Sequence, residues 1–543
     1  MADMLSTVPS ANPTHKDYDE VPYESHPFAQ THPERLFTVG TLFGMRPTPV
    51  QKCRVLELGC AAGGNLIPMA DYLPGSEFVG VDLSEKQIAD GLALVSQFGL
   101  KNLKLKHADI ASIGADYGQF DYIICHGVFS WVPDAVRDKI LDIAQKQLTP
   151  NGILYVSYNT YPGWHMRGMI RDMMRYHSNR FNTPTLRTQQ ARALLDFLSQ
   201  SVRQDGSAFS VLLKTELETL RTQADHYLYH EHLEENNNPL YFHQFADLAK
   251  RHGLKYLGEA RVGTMVTGNF GPEIEKTLRM LATDQIQAEQ YMDFLRNRMF
   301  RETLLCLDRV NPNWAVNPES LRVLHVASGA RPVDAQGQPL TAGVPVTDEA
   351  SNVSYRSATG MSMATTRPLL KAVMQVLNTA FPATVPFDLL RKESRALLGG
   401  DGTDPKQVAE DTNVIAVGLL NCYMGSDLIE LHGMPITFAK SAGEKPTALV
   451  IARAQASRSA VVTNRRHEVV RLNDLDKHLV PLLDGTRDKA AIVVELIKVA
   501  QTGALNVQKD GLTITEPAEI EQALTSVMDQ ALANVARMAL LTA

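Results

Sequence analysis

The chain has 543 residues, of which 44% are hydrophobic and 21% charged, and its formal net charge is -7. A globular chain of this length is too long for one hydrophobic core, so we expect three or more domains. The acidic balance argues against nonspecific nucleic-acid binding as the main activity. The first residues lack a signal-peptide pattern, and no run of roughly eighteen apolar residues occurs. The sequence therefore predicts a cytoplasmic protein without a membrane span.

The first half of the chain alternates between strand and helix patterns after an irregular start. Residues 1–30 are rich in Pro, His, Tyr and Ser and are predicted to form an arm. Between residues 53 and 158, short apolar runs such as "CRVLEL", "EFVGVDL" and "GILYVSY" are separated by segments with helical periodicity. This alternation is typical of a parallel sheet with helices on both faces. We therefore predict a doubly wound α/β domain.

Helical spacing replaces the strand pattern from residue 166 to residue 238, which indicates a helical insertion after the fifth strand. The sheet is expected to be complete near residue 268, and winged-helix-like units are expected near the C-terminus. The predicted parts are an arm or lid (1–30), an α/β core (31–165 and 239–268), a helical insertion (166–238), a middle domain (269–355) and a C-terminal domain (356–543).

A glycine-rich turn, "RVLELGCAAGGNLIPMA", joins the first strand to the first helix. A dinucleotide-binding turn has the spacing GxGxxG, but here Ala61 stands where its middle glycine belongs. A close approach of pyrophosphate is therefore disfavoured. The turn better suits a ligand with a short zwitterionic chain, and S-adenosylmethionine fits that description.

Three acidic residues stand at the ends of successive predicted strands: Glu57, Asp82 and Asp109. Ligands of open α/β sheets bind at the carboxyl ends of the strands, where these side chains meet. In an S-adenosylmethionine pocket they would face the amine, the ribose hydroxyls and the adenine edge, in that order. The alternative is that Asp82 and Asp109 only cap the segments that follow them.

These residues resemble the class I S-adenosylmethionine-dependent methyltransferases, with "LELGCAAGG" as the glycine motif. A closer resemblance is carried by "HGVFSWVP", "SYNTYPGWHMRGMIRDMM" and "YFHQFADLAKRHGLKYLGEA", which are similar to bacterial methyltransferases with a methyltransferase regulatory domain. That group includes rickettsial enzymes that methylate lysines of an outer-membrane protein. The resemblance implies a Rossmann-like seven-stranded sheet, an insertion for the substrate or for dimer contacts, and a regulatory middle domain.

The resemblance also implies a function and a cofactor site. It implies methyl transfer to protein lysines, an outer-membrane protein before export as the substrate, and a homodimer. A small-molecule methyltransferase and a non-catalytic cofactor-binding module stay open as alternatives, and nucleic acid is not an expected partner. The expected cofactor-binding residues are Glu57, Gly59, Gly63, Asn65, Asp82, Leu83, Asp109, Ile110, His126 and Gly127.

Methyl transfer from a sulfonium is an in-line displacement, so the protein mainly aligns the reacting groups and excludes water. Aromatic walls around a lysine amine would lower its pKa and favour the nucleophilic form. Aromatic residues stand on the arm and after the fourth and fifth strands. The predicted catalytic residues are Tyr18, Tyr23, Trp131 and Tyr161.

Two polar clusters have simpler interpretations. In "DHYLYHEHLEENNNP" only His226 and His230 share helical spacing, and the five cysteines form no CxxC pair, so no metal site is expected. Four arginines recur about once per helical turn, which favours a solvated face over a basic wall for an acidic polypeptide. They are Arg167, Arg171, Arg175 and Arg180.

Overall fold

A computed structural model of the protein describes residues 25–203, 205–340, 344–509 and 512–542. Tyr18 and Tyr23 lie outside the described residues. None of the described helices has the length and the apolar run needed to cross a membrane. The described residues also contain no group of three His, Cys, Asp or Glu side chains that could hold a metal ion.

Seven strands form the main sheet, in the order β3-β2-β1-β4-β5-β7-β6. They are β1 (Arg54–Leu58), β2 (Glu77–Asp82), β3 (Leu103–His107), β4 (Phe120–Cys125), β5 (Leu148–Asn159), β6 (Leu254–Glu259) and β7 (Phe300–Leu307). The first five run parallel, whereas β7 is antiparallel to both β5 and β6. The predicted α/β fold with a seven-stranded sheet is confirmed.

Eleven helices are described before the end of β7. They are α1 (Pro33–Leu42), α2 (Leu66–Tyr72), α3 (Glu85–Gln97), α4 (Asp134–Gln147), α5 (Trp164–Ser178), α6 (Pro184–Ser201), α7 (Ala208–Arg221), α8 (Asp225–His232), α9 (Phe242–Arg251), α10 (Pro272–Leu281) and α11 (Gln285–Arg296). Ser84 begins α3, because its hydroxyl accepts a hydrogen bond from the Gln87 amide at 3.2 Å. Buried apolar side chains line both faces of the sheet.

Helices α5 to α8 form the insertion, and they have a hydrophobic core of their own around Ile170, Leu195 and Leu217. The prediction of a solvated arginine face is wrong for Arg171, which is only 4% exposed. Its guanidinium donates to the carbonyl oxygens of His232 and Glu234. These are the last carbonyls of α8 and the turn after it, so Arg171 joins α8 to α5.

The sheet extends further along the chain than residue 268, where the sequence placed its completion. β7 begins at Phe300 and lies between β5 and β6, with Leu154 opposite Leu305 and Leu254 opposite Leu307. Two helices separate β7 from β6 along the chain, so the sequence pattern did not indicate that β7 belongs to this sheet. Near its start lies Arg301, the largest fully buried side chain in the described residues.

The middle unit contains β8 (His325–Ala327), β9 (Arg331–Val333), β10 (Val353–Arg356), β11 (Ser362–Thr365), β12 (Val385–Pro386), β13 (Glu430–His432), α12 (Pro368–Ala380), α13 (Phe387–Ala396) and α14 (Pro405–Gly425). β8 pairs with both β12 and β13. The boundary predicted at residues 355 and 356 cuts through β10. One apolar core holds residues from Leu321 to Leu431, so this unit reaches well past that boundary.

The C-terminal unit contains α15 (Val450–Ala456), β14 (Val461–Thr463), β15 (Val469–Arg471), α16 (Asp474–Leu479), α17 (Lys489–Gln501), β16 (Gln508–Lys509), β17 (Leu512–Thr513) and α18 (Pro517–Arg537). β14 and β15 form a hairpin. The apolar faces of α17 and α18 pack together in a separate core. A winged-helix-like C-terminal unit was expected, and this part of the prediction is confirmed.

Ion pairs tie the three units together around α1. The Glu34 carboxylate contacts His432 Nδ1 at 3.1 Å and accepts a hydrogen bond from the Gly433 amide. Glu430 in turn pairs with Arg466 of the C-terminal unit. The later units therefore rest directly on the α/β core.

Candidate functional site

A pocket of about 580 Å³ opens at the carboxyl ends of β1 to β4. Pockets for small ligands and cofactors commonly measure roughly 300–1,000 Å³, so this one is large enough for a cofactor. Its position is where ligands bind open α/β sheets. Glu57 lies within β1, Asp82 ends β2, and Asp109 and His126 follow β3 and β4.

The glycine turn is held against Asp82. One carboxylate oxygen of Asp82 accepts a hydrogen bond from the Ala61 amide at 2.7 Å, and the other accepts from the Ser84 amide at 2.9 Å. Ala61 has a φ of 49°, in the left-handed region that favours glycine. At Gly59 an added Cβ would lie 2.4 Å from a methyl of Val128, so only glycine fits there.

Glu57 and Asn65 form the deepest polar group of the pocket. Glu57 is 3% exposed, and Asn65 Nδ2 donates to its Oε1 at 2.7 Å. The other carboxylate oxygen, Oε2, has no hydrogen-bond partner in the described part of the chain. Burial raises the pKa of Glu57 to about 8, against the opposing effect of the Asn65 hydrogen bond. This oxygen is therefore placed to accept a hydrogen bond from a ligand.

Asn65 also connects Glu57 to two distant parts of the chain. Its Oδ1 accepts a hydrogen bond from the Phe28 amide at 3.0 Å, which fixes the N-terminal segment over the pocket. His467 Nε2 lies 2.8 Å from the same oxygen. His467 belongs to the turn between β14 and β15, so the C-terminal unit reaches the residue that holds Glu57.

The described end of the N-terminal arm covers the glycine turn. Ser25 Oγ accepts a hydrogen bond from the Gly64 amide at 2.7 Å, and an added Cβ on Gly64 would collide with the Ser25 backbone. Ser25, His26 and Phe28 line the pocket. The described end of the arm therefore lies at the pocket, and the lid function of the arm stays a prediction.

His126 and Gly127 form the wall after β4. The His126 ring lies 3.9 Å from the ring of Phe28, and its Nδ1 lies 3.0 Å from the Tyr155 hydroxyl. Burial lowers the pKa of His126 to about 4, so its imidazole is neutral at physiological pH. The Gly127 amide donates to Ser157 Oγ at 2.8 Å.

A second group of residues continues the pocket away from the glycine turn and comes from different elements. It comprises Trp131 and Val132 after β4, Trp164 and Arg167 of α5, Tyr227, His230 and Glu231 of α8, and Met299 and Phe300 at the start of β7. Trp131 and Trp164 lie edge to face, with their ring centroids 6.4 Å apart. Among the described residues, this part is lined by several aromatic side chains and by one carboxylate, that of Glu231. We call it the aromatic end of the pocket.

Most of the residues expected at the site lie there. Of the ten expected cofactor residues, nine line the pocket, and Trp131 does so as well. Gly63 does not, because its positive φ turns it onto Leu105, 3.1 Å from an added Cβ. Tyr161 also lies outside the lining, where its ring stacks on His165 at 4.0 Å.

The sequence did not single out Gln87, Glu231 or His467. Gln87 lines the pocket, and its buried Oε1 has no partner among the described residues. Glu231 lies in a His-rich segment, where the histidines give a stronger sequence signal than a single acid. His467 is 402 residues from its partner Asn65, and no local pattern reports such a contact.

Three family models match successive parts of the chain. They are a methyltransferase domain (residues 49–210), a predicted methyltransferase regulatory domain (224–307) and a PKMT C-terminal winged helix domain (444–540). An uncharacterised protein of Rickettsia prowazekii (strain Madrid E) is 38% identical to the chain over 521 residues, which is 94% of this chain and 91% of the relative.

A solved structure is similar over nearly the whole chain. It is PKMT2 from Rickettsia typhi in complex with AdoHcy, at a TM-score of 0.83 and 31% identity, covering 96% of this chain and 100% of that one. The chain belongs to the S-adenosylmethionine-dependent methyltransferases that carry a methyltransferase regulatory domain. The resemblance inferred from the sequence is thereby confirmed.

The residues of this methyltransferase's pocket fit S-adenosylmethionine. Glu57 Oε2 and Gln87 Oε1 are buried acceptors without partners in the described residues, and the cofactor's amine, amino and hydroxyl groups are donors. A buried acceptor left unpaired is costly, so these two oxygens favour a ligand that donates to them. Apolar side chains, Leu83 and Ile110 among them, flank the acids and suit the adenine ring.

Proposed function

We propose that this methyltransferase transfers methyl groups from S-adenosylmethionine to lysine side chains of a protein substrate. The observation that carries the proposal is the aromatic end of the pocket, which adds aromatic side chains and a carboxylate beside the cofactor site. A long side chain with a cationic tip matches such surroundings. The similarity to PKMT2, whose name abbreviates protein lysine methyltransferase, supports the same choice.

In this proposal the chain's own residues bind and orient the reactants. Glu57 accepts the cofactor's ammonium group, Asp82 accepts the ribose hydroxyls, and Asp109 with Ile110 lies beside the adenine. The cofactor supplies an electrophilic methyl group on a sulfonium. Trp131, Trp164 and Phe300 exclude water and align the incoming amine, which is the main task in such a displacement.

The substrate and assembly follow from the resemblance to the rickettsial enzymes. We propose an outer-membrane protein, modified in the cytoplasm before export, as the substrate. A homodimer is the proposed assembly.

Labelling with radioactive S-adenosylmethionine tests the proposed function. The purified full-length protein is incubated with the labelled cofactor and a cell-envelope protein fraction, followed by gel autoradiography and counting of the small-molecule pool. We expect label on a polypeptide that survives alkali, because N-methyl groups are stable where methyl esters hydrolyse. Acid hydrolysis should then release methylated lysine.

The control for this assay is the Glu57→Gln variant, which should leave the polypeptide unlabelled. Label confined to small molecules would replace the proposal with a metabolite enzyme. Cofactor binding without transfer to any acceptor would indicate a non-catalytic module.

We expect the Asp82→Ala variant to bind S-adenosylmethionine more weakly by about 1–3 kcal/mol, because it loses the proposed ribose contact. The same carboxylate holds the Ala61 and Ser84 amides, so the turn also loosens. Isothermal titration calorimetry measures the effect. Asp82→Asn is the matched variant, because it keeps the size and one acceptor oxygen, and its loss should be smaller. Unchanged affinity in Asp82→Ala would place the ribose elsewhere.

A further inference from the structure

We infer that Glu231 receives the ammonium group of the target lysine and takes up its proton, which makes the aromatic end of the pocket a subsite for a lysine side chain. This inference rests on the proposed function and names a residue that performs part of it. The predicted catalytic residues do not include Glu231. The geometry of α5 and α8 points to it.

Glu231 lies on the wall that the helical insertion contributes. Helix α8 packs on α5, and Arg171 fixes the pair through the carbonyl oxygens of His232 and Glu234. Glu231 precedes these carbonyls, and its side chain lines the same pocket as Trp131 and Trp164. A lysine side chain that enters this part of the pocket would therefore have both the aromatic rings and this carboxylate on its walls.

The charged groups around Glu231 are engaged elsewhere. Arg167 lies 5.7 Å over the Trp164 ring, with its Nε 3.5 Å from Glu216 Oε2. His230 Nδ1 lies 3.0 Å from Glu234 Oε1. Among the described residues, these two groups thus pair with Glu216 and Glu234 rather than with Glu231. The Glu231 carboxylate is therefore left to accept from a ligand.

The environment of Glu231 also suits proton uptake. Burial raises the pKa of Glu231 to about 7, and the opposing effects of Arg167, His230 and Arg171 are smaller. Among the described residues, Tyr227 of α8 also interacts with Glu231, and its own pKa is raised by burial and by Glu231. A carboxyl with a pKa near neutrality is an effective general base at physiological pH.

The proposed step balances as follows. Free lysine has a pKa of about 10.4 and is protonated at neutral pH, so its nitrogen has no free electron pair. Burial among Trp131, Trp164 and Phe300 lowers that pKa, and the ammonium proton passes to the Glu231 carboxylate. The freed nitrogen pair forms a bond to the methyl carbon while the carbon–sulfur bond breaks and its pair stays on sulfur. Glu231 then releases its proton to solvent.

The test compares Glu231→Gln with Glu235→Gln in the full-length protein, because Glu235 is an exposed acid four residues further on and outside the pocket lining. The substrate is a peptide around the lysine labelled in the envelope fraction. We expect kcat/KM of the wild type to rise with pH through about 7. The Glu231→Gln variant should not show this rise with pH. Its kcat/KM should be lower by about a hundredfold or more, since general base catalysis accelerates a reaction roughly 10²–10⁴-fold. Glu235→Gln should match the wild type.

Peptide binding gives a readout that does not depend on turnover. We expect the wild type to bind the lysine peptide more tightly than the same peptide with norleucine in place of lysine. Glu231→Gln should lose this preference, whereas Glu231→Asp should keep part of it and part of the rate. Cofactor affinity, measured by calorimetry, should stay unchanged in all three variants, which also confirms that they fold.

Two outcomes overturn the inference in distinguishable ways. If the wild type methylates the lysine and Glu231→Gln keeps both the pH step and the preference over norleucine, Glu231 is not the acceptor and the proposed function stands. If the wild type labels no lysine in any polypeptide, the proposed function fails and the inference fails with it.

Discussion

Replacing Glu57 with glutamine is expected to weaken S-adenosylmethionine binding by about 3 kcal/mol, which is more than a hundredfold in Kd. Glutamine keeps an oxygen for Asn65 but has no charge for the cofactor's ammonium group, and it places an amide donor or a neutral acceptor where Oε2 now has no partner. Calorimetric titration measures the loss. The matched control is Glu77→Gln, an exposed acid paired with Arg54 on the surface, which should bind as the wild type does.

The same residue predicts a pH dependence of cofactor binding. Since burial raises the pKa of Glu57 to about 8 before the cofactor binds, its carboxyl is mostly protonated at neutral pH and must ionise to pair with an ammonium group. Binding should therefore release close to one proton at pH 7, and the affinity should rise with pH up to about 8. Calorimetry in two buffers with different ionisation enthalpies measures this proton, and Glu57→Gln should not release it.

The stability of the cofactor-free protein should change in the opposite sense. A carboxyl whose folded pKa is raised from 4.5 to about 8 binds a proton in the folded state that the unfolded state does not bind. The contribution of Glu57 to the free energy of unfolding therefore falls as the pH rises from 4.5 to about 8. The Glu57→Gln variant should lose less stability over the same range. An equal pH dependence of the wild type and the variant, with no difference between buffers, would contradict the assignment of this pKa to Glu57.

Replacing Arg301 with methionine is expected to cost about 3–5 kcal/mol of folding free energy, because it leaves buried carboxylates without their cation. Arg301 is fully buried, and its guanidinium contacts Glu259 at 2.6 Å, Glu289 at 3.0 Å and Asp293 at 2.8 Å. It also lies 3.7 Å from the centre of the Phe242 ring. This cluster joins β6, β7 and α11 at the edge of the sheet, so its loss should loosen the aromatic end of the pocket as well.

Chemical denaturation at several pH values measures this effect. The deficit should be largest above neutral pH and shrink on acidification, because the abandoned carboxylates take up protons. The control is Arg279→Met, which removes an exposed ion pair with Glu275 within α10 and should cost less than about 0.5 kcal/mol. A deficit in Arg301→Met as small as that of the control would mean that the acids find other partners.

The parts of the site that the sequence could predict are those encoded over short distances. Glu57 and Asp82 lie in the last residues of two apolar strands and Asp109 follows the next strand, and the parallel topology brings such strand ends together without further information. Gly59 was recognisable because a turn between a strand and a helix needs its positive φ. The local sequence pattern, together with the rule that ligands bind at the carboxyl ends of parallel strands, was enough to predict these positions.

The remaining parts depend on contacts that no local pattern reports. β7 enters the sheet between β5 and β6 after two intervening helices, and this brings Phe300 to the pocket. The position of Glu231 depends on how α8 packs on α5. Arg171 fixes this packing by donating hydrogen bonds to two main-chain oxygens. Gly63 and Tyr161 lie outside the pocket lining, because spacing fixes the order of residues but not which of them face the pocket.

The hydrogen bond between His467 and Asn65 means that the pocket depends on the C-terminal unit, which matters for shortened genes and for protein engineering. A gene shortened at any point between codons 308 and 467 would still encode the whole glycine turn, all seven strands and every predicted cofactor contact. Its product would nevertheless lack one of the donors that orient the Asn65 amide, and with it part of the support for Glu57. The α/β core therefore does not form the complete pocket by itself. Transferring this pocket to another protein would also require the β14–β15 turn that carries His467, which lies 402 residues after Asn65.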